Sequence, residues 1–323
     1  MVGGSAHARV APDYIAFTVT NDTPVSTVLA MLGFKFNEIG FGRYRYRQGA
    51  VAEVGGLEVY WDGCQDGMGT HVRISGKGCR HLEDDPFFEW GEWFSDIRKK
   101  LGGRFSRVDI AIDDEGYNVE FDTVLKAVEN KEVTRRGDAY DERYRFRGGR
   151  KEKTLYIGSR ESEAMLRVYQ KGFELGGEVG WLRFEAEFKG KRAEGWVTVF
   201  LTHGWDAAVG VFRHLWEFKD ASHVTTDRTR QRAADWWVQL IGAAKFSFKL
   251  GQAVAATWQS VQKWMVRQWA PSVAMLMEAT AGDLSPLLEL AEIGSDRLKE
   301  KHKRLIAVVR GCSDGSFANL SFA

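Results

Sequence analysis

A tyrosine stands between two cations in the segment LRVYQKGFEL, residues 166–175. Successive side chains of a β-strand point to opposite faces, so in a strand Arg167, Tyr169 and Lys171 share one face. A tyrosine hydroxyl in that setting can attack phosphorus and form a covalent phosphotyrosine, with the cations stabilising the charge. The alternative is that Tyr169 is an ordinary strand residue.

Two other predicted strands have one apolar and one charged face. They lie at residues 107–113 and 183–189. The charged faces carry Arg107, Asp109 and Asp113 in the first strand, and Arg183, Glu185, Glu187 and Lys189 in the second. If these strands and the tyrosine strand lie in one sheet, the charged faces form one cluster.

Carboxylate oxygens of this kind suit Mg²⁺ or Mn²⁺. A divalent ion beside arginine and lysine can stabilise the charge on a reacting phosphate. The plainer interpretation is a solvated sheet face whose opposite charges pair across strands. Alternation alone favours that interpretation, because it does not show that the three strands are neighbours.

The elements that must position these residues predict an α+β fold. We expect a flexible leader at 1–10, an antiparallel sheet domain flanked by helices at 11–222, and an all-α C-terminal region at 223–323. Short alternating strands with glycine-containing connections dominate the first 220 residues or so. Helical periodicity dominates after Thr225.

Composition narrows the functional classes. The chain has 323 residues, is 44% hydrophobic and 28% charged, and has a net charge of +1. Its three cysteines form no CxxC pair, and its seven histidines form no HxH or HExxH pair, which argues against cysteine or histidine metal sites. No apolar run is long enough for a transmembrane helix, and no signal-peptide core is present, so we expect a cytoplasmic protein without a membrane partner.

An ordered set of motifs resembles a known family. RVDIAIDD (107–114), TLYIGSRESEAMLRVYQKGFE (154–174) and WLRFEAEFKGKRA (181–193) resemble segments of the Rep_trans replication initiation factors, and ISGKGCR (74–80) fits their upstream pattern. That family includes initiators of rolling-circle plasmids, relaxases of integrative conjugative elements and initiators of filamentous phages. The length of the chain is most similar to that of the filamentous-phage initiators.

The resemblance implies an enzyme that nicks one strand at a rolling-circle origin and later rejoins the displaced strand. Its implied nucleophile is Tyr169, which would keep the 5′ phosphate, with Mg²⁺ or Mn²⁺ as cofactor. The implied metal ligands are Asp109, Glu185 and Glu187, with Asp113 as a weaker candidate. The residues implied to hold the phosphate are Arg167, Lys171 and Arg183.

One position departs from the family pattern. Gln170 stands where the resemblance leads us to expect Asp or Asn before the lysine. It points away from the proposed site in a strand. The implied partner is single-stranded or hairpin origin DNA, and the family analogy adds a homodimer. Helicase recruitment, dimerisation and origin specificity all stay open for the helical C-terminus.

Arginines beside aromatic residues predict DNA-binding surfaces. In GRYRYRQ (42–48) we expect one strand with its arginines on one face, and RYRFRGGRKEK (143–153) repeats the theme. Such residues suit phosphate contacts and base stacking, although a solvated strand face is an equal alternative. The segment 228–232 either opens a DNA-contacting helix or is a charged first turn, and SGKG (75–78) is expected to be a turn. The candidate DNA-binding residues are Arg43, Arg45, Arg47, Lys77, Arg143, Arg145 and Arg147.

Three other functions stay open. The chain could be a non-catalytic DNA-binding regulator of the same fold, a relaxase for conjugative transfer, or a metal-dependent nuclease that activates water. Tyr169 together with its acidic neighbours favours a nicking enzyme, since a binder has no need of them. Tyr156 and Tyr144 are rival nucleophiles; Tyr156 ranks lower than Tyr169 because Leu155 and Ile157 beside it supply no charges.

Overall fold

The computed structural model describes residues 8–116, 119–134, 139–147, 150–171, 181–220, 231–242 and 258–311. Ten strands within them form one antiparallel sheet. The strands are β1 (Ala8–Val19), β2 (Phe36–Ile39), β3 (Tyr46–Ala52), β4 (Leu57–Gly63), β5 (Thr70–Ser75), β6 (Arg104–Asp114), β7 (Tyr140–Arg147), β8 (Arg150–Ile157), β9 (Ala164–Gln170) and β10 (Leu182–Lys189). Their order across the sheet is β2-β3-β4-β5-β1-β6-β10-β9-β8-β7.

Alternation along the strands gives the sheet one apolar face, which helices cover. The helices of this part are α1 (Val25–Leu32), α2 (Gly76–Glu83), α3 (Trp90–Leu101), α4 (Phe121–Glu129) and α5 (Gly190–Leu215), the last with a kink at Gly204. Aromatic rings fill the space between β6, β10, α3 and α5: Trp196 lies 6.4 Å from Phe188 and 6.2 Å from Phe94, centroid to centroid. Burying these large rings leaves the opposite, polar face of the sheet for chemistry.

The described residues divide into two compact units. One draws on Met1–Cys79 and Trp90–Ala253, the other on Arg80–Glu89 and Val254–Ala323. The second unit is helical, with α6 (Trp258–Gln268), α7 (Ala270–Ala279), α8 (Ser285–Ser295) and α9 (Glu300–Gly311). The predicted class, an antiparallel α+β sheet domain followed by a helical C-terminal region, is confirmed.

The second unit includes a segment from far upstream in the chain, Arg80–Glu89, which contacts its helices. The ring of Phe87 lies edge-on to His302 at 4.5 Å, and Arg267 approaches Asp84 at 3.5 Å. The predicted domain limit at 222/223 differs from the observed division, because helical residues 235–242 group with the sheet. In the part of the chain that the structure describes, no helix combines the length and apolarity needed to cross a membrane.

The strand predicted over residues 42–48 was wrong. Residues 42–48 are not one strand: Tyr44 and Arg45 have φ angles of 57° and 66°, a left-handed turn, and β3 begins only at Tyr46. Arg43 and Arg45 therefore do not share a strand face with Arg47. β1 begins at Ala8, within the leader predicted at 1–10.

The segment after β5 is a helix where we expected a turn. α2 begins at Gly76, directly after Ser75. A side chain at Gly78 would meet the backbone oxygen of Gly56 at 2.4 Å, so only glycine fits this approach. Gly56 itself has φ +83° and accepts a hydrogen bond from the Ser75 amide at 2.8 Å. These contacts fix where α2 begins.

We expect Gly56→Ala to lower the free energy of unfolding by about 2–5 kcal/mol, from left-handed strain and a clash with the Gly78 amide. The matched control is Gly67→Ala, which has φ +78° and nothing within 4 Å of its added Cβ. It carries strain alone and should cost about 1–2 kcal/mol. Urea unfolding measures both. Equal losses would show that the approach to Gly78 is not tight.

Candidate active site on the polar face of the sheet

The register of β10 brings the predicted site residues together. β10 lies between β6 and β9. Glu187 is opposite Asp109 on one side, Glu185 is opposite Arg167 on the other, and Arg183 is opposite Tyr169. Directly opposite residues of an antiparallel pair point to the same face, so these side chains share one surface. The juxtaposition that alternation could only suggest is present.

Tyr169 is held by a carboxylate and surrounded by cations. It is 8% exposed, and its hydroxyl donates a hydrogen bond to Glu185 Oε2 at 2.8 Å. Arg167 donates to the other oxygen of Glu185 and lies 5.4 Å from the ring centroid of the tyrosine. The Lys171 ammonium is 5.7 Å from the same centroid.

Burial raises the pKa of Tyr169 above its ordinary value, and the charge of Glu185 raises it further. Arg183 and Arg167 oppose this rise in pKa. The resting phenol is therefore protonated, with Glu185 positioned to accept its proton.

A second set of carboxylates, on β6 and β10, lies on the same face as Tyr169. Asp109 is 1% exposed, and its two oxygens accept hydrogen bonds from Arg107 at 2.8 and 2.6 Å. The same guanidinium reaches Glu187 at 2.5 Å. Burial raises the pKa of Asp109 to about 7; Arg107 opposes this, and the charges of Glu185 and Glu187 add to it.

The carboxylate oxygens of this face are of the kind that bind a divalent cation, although here they form ion pairs with Arg107 and Arg167. Among the described residues, no group of three or more acidic, histidine or cysteine side chains is arranged to hold a metal. Asp109, Glu185 and Glu187 nevertheless supply hard oxygens on one surface. Arg107 bridges Asp109 and Glu187 and supplies the positive charge between these two carboxylates.

Asp113, the weaker ligand candidate, is committed elsewhere. Its two oxygens accept hydrogen bonds from Arg183 at 2.6 and 2.7 Å, and both residues are buried. The third nitrogen of Arg183 donates to Asp13 at 2.7 Å. This arginine, predicted to hold phosphate, thus donates from all three of its nitrogens to two aspartates.

Sequence reasoning missed Asp13. It sits on β1 where the pairing with β6 shifts register between Pro12 and Tyr14, so the strand bulges and the carboxylate reaches Arg183. The available signal was Pro12 inside a strand pattern, because proline in a sheet marks an edge or a bulge.

The polar face continues beyond β6 through tyrosines and arginines. The Arg107 guanidinium lies 4.5 Å from the ring centroid of Tyr14, whose hydroxyl accepts a hydrogen bond from Arg73 at 2.5 Å. Arg73 also bonds Glu58 at 2.8 Å and lies 4.4 Å from the ring of Tyr44. The cluster is therefore part of a larger arginine-tyrosine surface.

The predicted DNA-binding arginines do not form one patch. Arg43 and Arg45 are exposed just before β3 and Arg47 is exposed within it, whereas Arg143 is exposed on β7, at the other end of the sheet order. Arg47 pairs with Asp62 at 3.1 Å. Lys77 is exposed in the first turn of α2.

Several of these predictions fall outside what is described. The backbones of Arg145 and Arg147 lie in β7, but their side chains are outside the described residues. Arg228 and Arg230 are outside them altogether. Arg232 is exposed and pairs with Asp220 and Asp235 at 3.1 and 3.2 Å.

The two rival tyrosines, and the glutamine that departs from the family pattern, differ in the sheet face to which they point. Tyr156 lies opposite Arg167, on the polar face, whereas Tyr144 pairs with Lys153 and takes the other face. Gln170 also points to the other face, as predicted, where it lines a hollow of about 320 Å³ together with Lys153. Among these residues, Tyr169 alone has a hydroxyl that meets a buried carboxylate.

Comparisons with known proteins place this chain in a family. The replication initiation factor family (Rep_trans) matches residues 103–290, more than half of the chain, and the rolling-circle replication initiation protein N-terminal domain matches residues 9–97. The chain belongs to the replication initiation factor family, as its motifs predict.

Two relatives agree with this assignment. A Bacillus subtilis (strain 168) protein named "Putative DNA relaxase NicK" is 28% identical over 277 residues, which cover 78% of this chain and 75% of that protein. The structure of a rolling-circle replication initiator protein from Geobacillus stearothermophilus matches with a TM-score of 0.66 and 25% identity, covering 73% of this chain and 96% of that one. The predicted likeness to filamentous-phage initiators stays a prediction.

We expect Arg183→Leu to destabilise the protein by about 3–5 kcal/mol, because it leaves Asp113 buried without its partner. Arg47→Leu is the control, since its pair with Asp62 is exposed and worth less than about 1 kcal/mol. Urea unfolding of both variants gives the comparison. A loss for Arg183→Leu no larger than the control's would mean that this arginine is free to leave Asp113 and to serve another ligand.

Proposed function

We propose that the protein is a replication initiator that nicks one strand of a rolling-circle origin through Tyr169 and later rejoins the displaced strand. The observation that carries the proposal is the hydrogen bond from the Tyr169 hydroxyl to buried Glu185, with Arg167 on the same carboxylate. A DNA-binding protein without catalysis has no use for a buried tyrosine–carboxylate pair on a polar sheet face. Family membership supplies the substrate class, origin DNA.

The chain's own groups support each part of a transesterification. As the phenolic oxygen of Tyr169 attacks phosphorus, its proton passes to Glu185 Oε2. The bond from phosphorus to the 3′ oxygen breaks, and that oxygen takes up a proton from solvent, to which Glu185 later releases the proton it accepted. The products are a free 3′ hydroxyl and a 5′ phosphate on the tyrosine. Reversing the exchange with another 3′ hydroxyl rejoins a strand.

Arg167 and Lys171 lie against the tyrosine ring and would face the charge that develops on the phosphate. Arg183 has a different part in this proposal. Its bonds to Asp113 and Asp13 hold β10 against β6 and β1, opposite Tyr169. We assign it to positioning the nucleophile's strand, and only secondarily to the phosphate.

The proposed cofactor is Mg²⁺ or Mn²⁺, held by Asp109 and Glu187 with Glu185 as the third candidate. When bound, the ion would supply positive charge to the scissile phosphate. Arg107 neutralises Asp109 and Glu187, so a bound cation would compete with it for at least one of these carboxylates. Glu185 would therefore serve both as a metal ligand and as the acceptor of the Tyr169 proton.

Tyr169→Phe should abolish a covalent protein–DNA adduct, because the attacking oxygen is gone. The assay incubates full-length protein with single-stranded origin DNA and Mn²⁺ and separates the products on a denaturing gel. Tyr156→Phe is the matched control and should still form the adduct, since Tyr156 has no buried carboxylate at its hydroxyl. Tyr169→Phe itself should fold, because Glu185 keeps Arg167.

The other outcomes separate the competing functions. An adduct that persists in Tyr169→Phe would sink the assignment of the nucleophile. Cleavage without any adduct in the unmodified protein would support a nuclease that activates water. Specific binding with neither cleavage nor adduct would support the non-catalytic regulator.

We expect Mn²⁺ to raise the thermal unfolding midpoint of the unmodified protein, and to raise that of Asp109→Asn much less. The effect should be larger at pH 8 than at pH 6. Because the folded pKa of Asp109 is raised to about 7, the stability linked to its neutral form is present at low pH and is lost as the pH rises through 7. A cation stabilises the ionised form and restores that loss. Equal midpoint shifts in both proteins would place the metal elsewhere.

A relaxase for conjugative transfer uses the same site and is the second candidate. The similarity to the Bacillus subtilis protein named "Putative DNA relaxase NicK" favours it. The two functions differ in the DNA that is cut, an origin of replication or an origin of transfer, so nicking of each candidate sequence decides between them. A host helicase and a homodimer remain proposals that no contact described above supports.

A further inference from the structure

Tyr156 forms a second aromatic site on the polar face, beside the nucleophile. It is half-buried and lies on β8 opposite Arg167. Two guanidinium groups approach its ring: Arg160 at 4.4 Å and Arg143 at 5.6 Å from the centroid. Among the described residues its hydroxyl has no hydrogen-bonding partner, in contrast to that of Tyr169.

The distance to the nucleophile suits an adjacent nucleotide. Tyr169 is opposite Thr154, so Tyr156 is its diagonal neighbour across β8 and β9. Diagonal neighbours in an antiparallel pair lie about 7–8 Å apart on the same face. A base next to the scissile phosphate can therefore reach the Tyr156 ring while the phosphate stays at Tyr169.

The surroundings of Tyr156 fit DNA better than a protein core. Arg160 is exposed, and the Arg143 side chain is 53% exposed while it pairs with Asp141 at 2.7 Å. Their guanidinium groups preorganise the ring by cation–π contacts and carry charge that can meet phosphates. Aromatic rings beside such cations stack on the bases of single-stranded DNA, because the π-faces of unpaired bases are accessible.

We propose that Tyr156, flanked by Arg143 and Arg160, is a stacking platform for a base of single-stranded DNA immediately beside the scissile phosphate. The inference rests on the proposed function for the position of the phosphate. It gives Tyr156 a binding role in place of the nucleophilic role for which it was a rival. Arg160 enters the site as a residue that sequence reasoning did not single out.

The test uses 2-aminopurine, whose fluorescence falls when it stacks on an aromatic ring. One probe is an oligothymidylate with a single 2-aminopurine, at low salt, and the other is origin single-stranded DNA with 2-aminopurine at each position around the mapped nick. Binding is measured in Tyr169→Phe protein, which prevents cleavage. We expect strong quenching at one position next to the nick.

Tyr156→Leu should remove that quenching and weaken binding about 5- to 100-fold. Tyr156→Phe should retain both, because the ring and not the hydroxyl does the stacking. The matched control is Tyr144→Leu, an exposed tyrosine on β7 that faces the other side of the sheet, and it should change neither reading. Arg160→Gln should weaken binding and reduce the slope of log K against log salt concentration by about 1, the value of one phosphate contact.

Two results would overturn the platform. One is unchanged quenching and affinity in Tyr156→Leu on both probes. The other is equal loss in Tyr156→Phe and Tyr156→Leu. If Tyr156→Leu loses its folded circular dichroism, Arg160→Gln decides, and unchanged binding there counts against the proposal. Binding to the oligothymidylate probe requires no nick, so this measurement tests the platform independently of the proposed function. The proposed function fails by a different result, the absence of an adduct with the unmodified protein.

Discussion

The pairing of β10 with β6 on one side and β9 on the other is the constraint on which the site depends. It places acidic residues of β10 beside Asp109 and also beside Arg167 and Tyr169. Because side chains alternate along a strand, a slip of one residue would turn Glu185 and Glu187 into the apolar core and Phe184 out of it. The packing of Phe184 and Phe188 under α5 and residues 235–242 therefore fixes the register of the chemistry above it.

Charge balance is the second condition. Burying a carboxylate without a partner is costly, and three buried acids of this face each have a guanidinium: Arg107 for Asp109, Arg167 for Glu185 and Arg183 for Asp113. These pairs stabilise the face in the absence of DNA. They also mean that a phosphate or a cation must compete for groups already bound. We infer that substrate binding exchanges ion pairs on a prepared surface and does not fill an empty one.

Part of this organisation could be predicted from the sequence. Alternation in the three strands gave the correct faces for Asp109, Tyr169 and Glu185, because the period of two follows directly from backbone geometry. The motifs then gave a reason to place those strands together. Periodicity could not supply the pairing partners, since these depend on contacts between distant segments.

The errors have local physical causes. Tyr44 and Arg45 read as strand residues, yet they adopt left-handed angles that no propensity favours in a non-glycine residue. Asp13 reaches Arg183 at a bulge of β1, and α2 begins where Gly56 and Gly78 approach closely. The partners in these contacts are distant in the chain, and only the bulge left a signal in the sequence, Pro12.

The burial of Tyr169 bears on selectivity. Its hydroxyl is bound to Glu185, and burial raises its pKa, so the free phenol is a poor nucleophile. The same Glu185 is the proposed proton acceptor, and Arg167 already neutralises it. A phosphate bound at Arg167 would draw that guanidinium away and leave Glu185 a stronger base. In this arrangement the tyrosine becomes reactive only when DNA occupies the face, which would limit attack to a correctly placed phosphate.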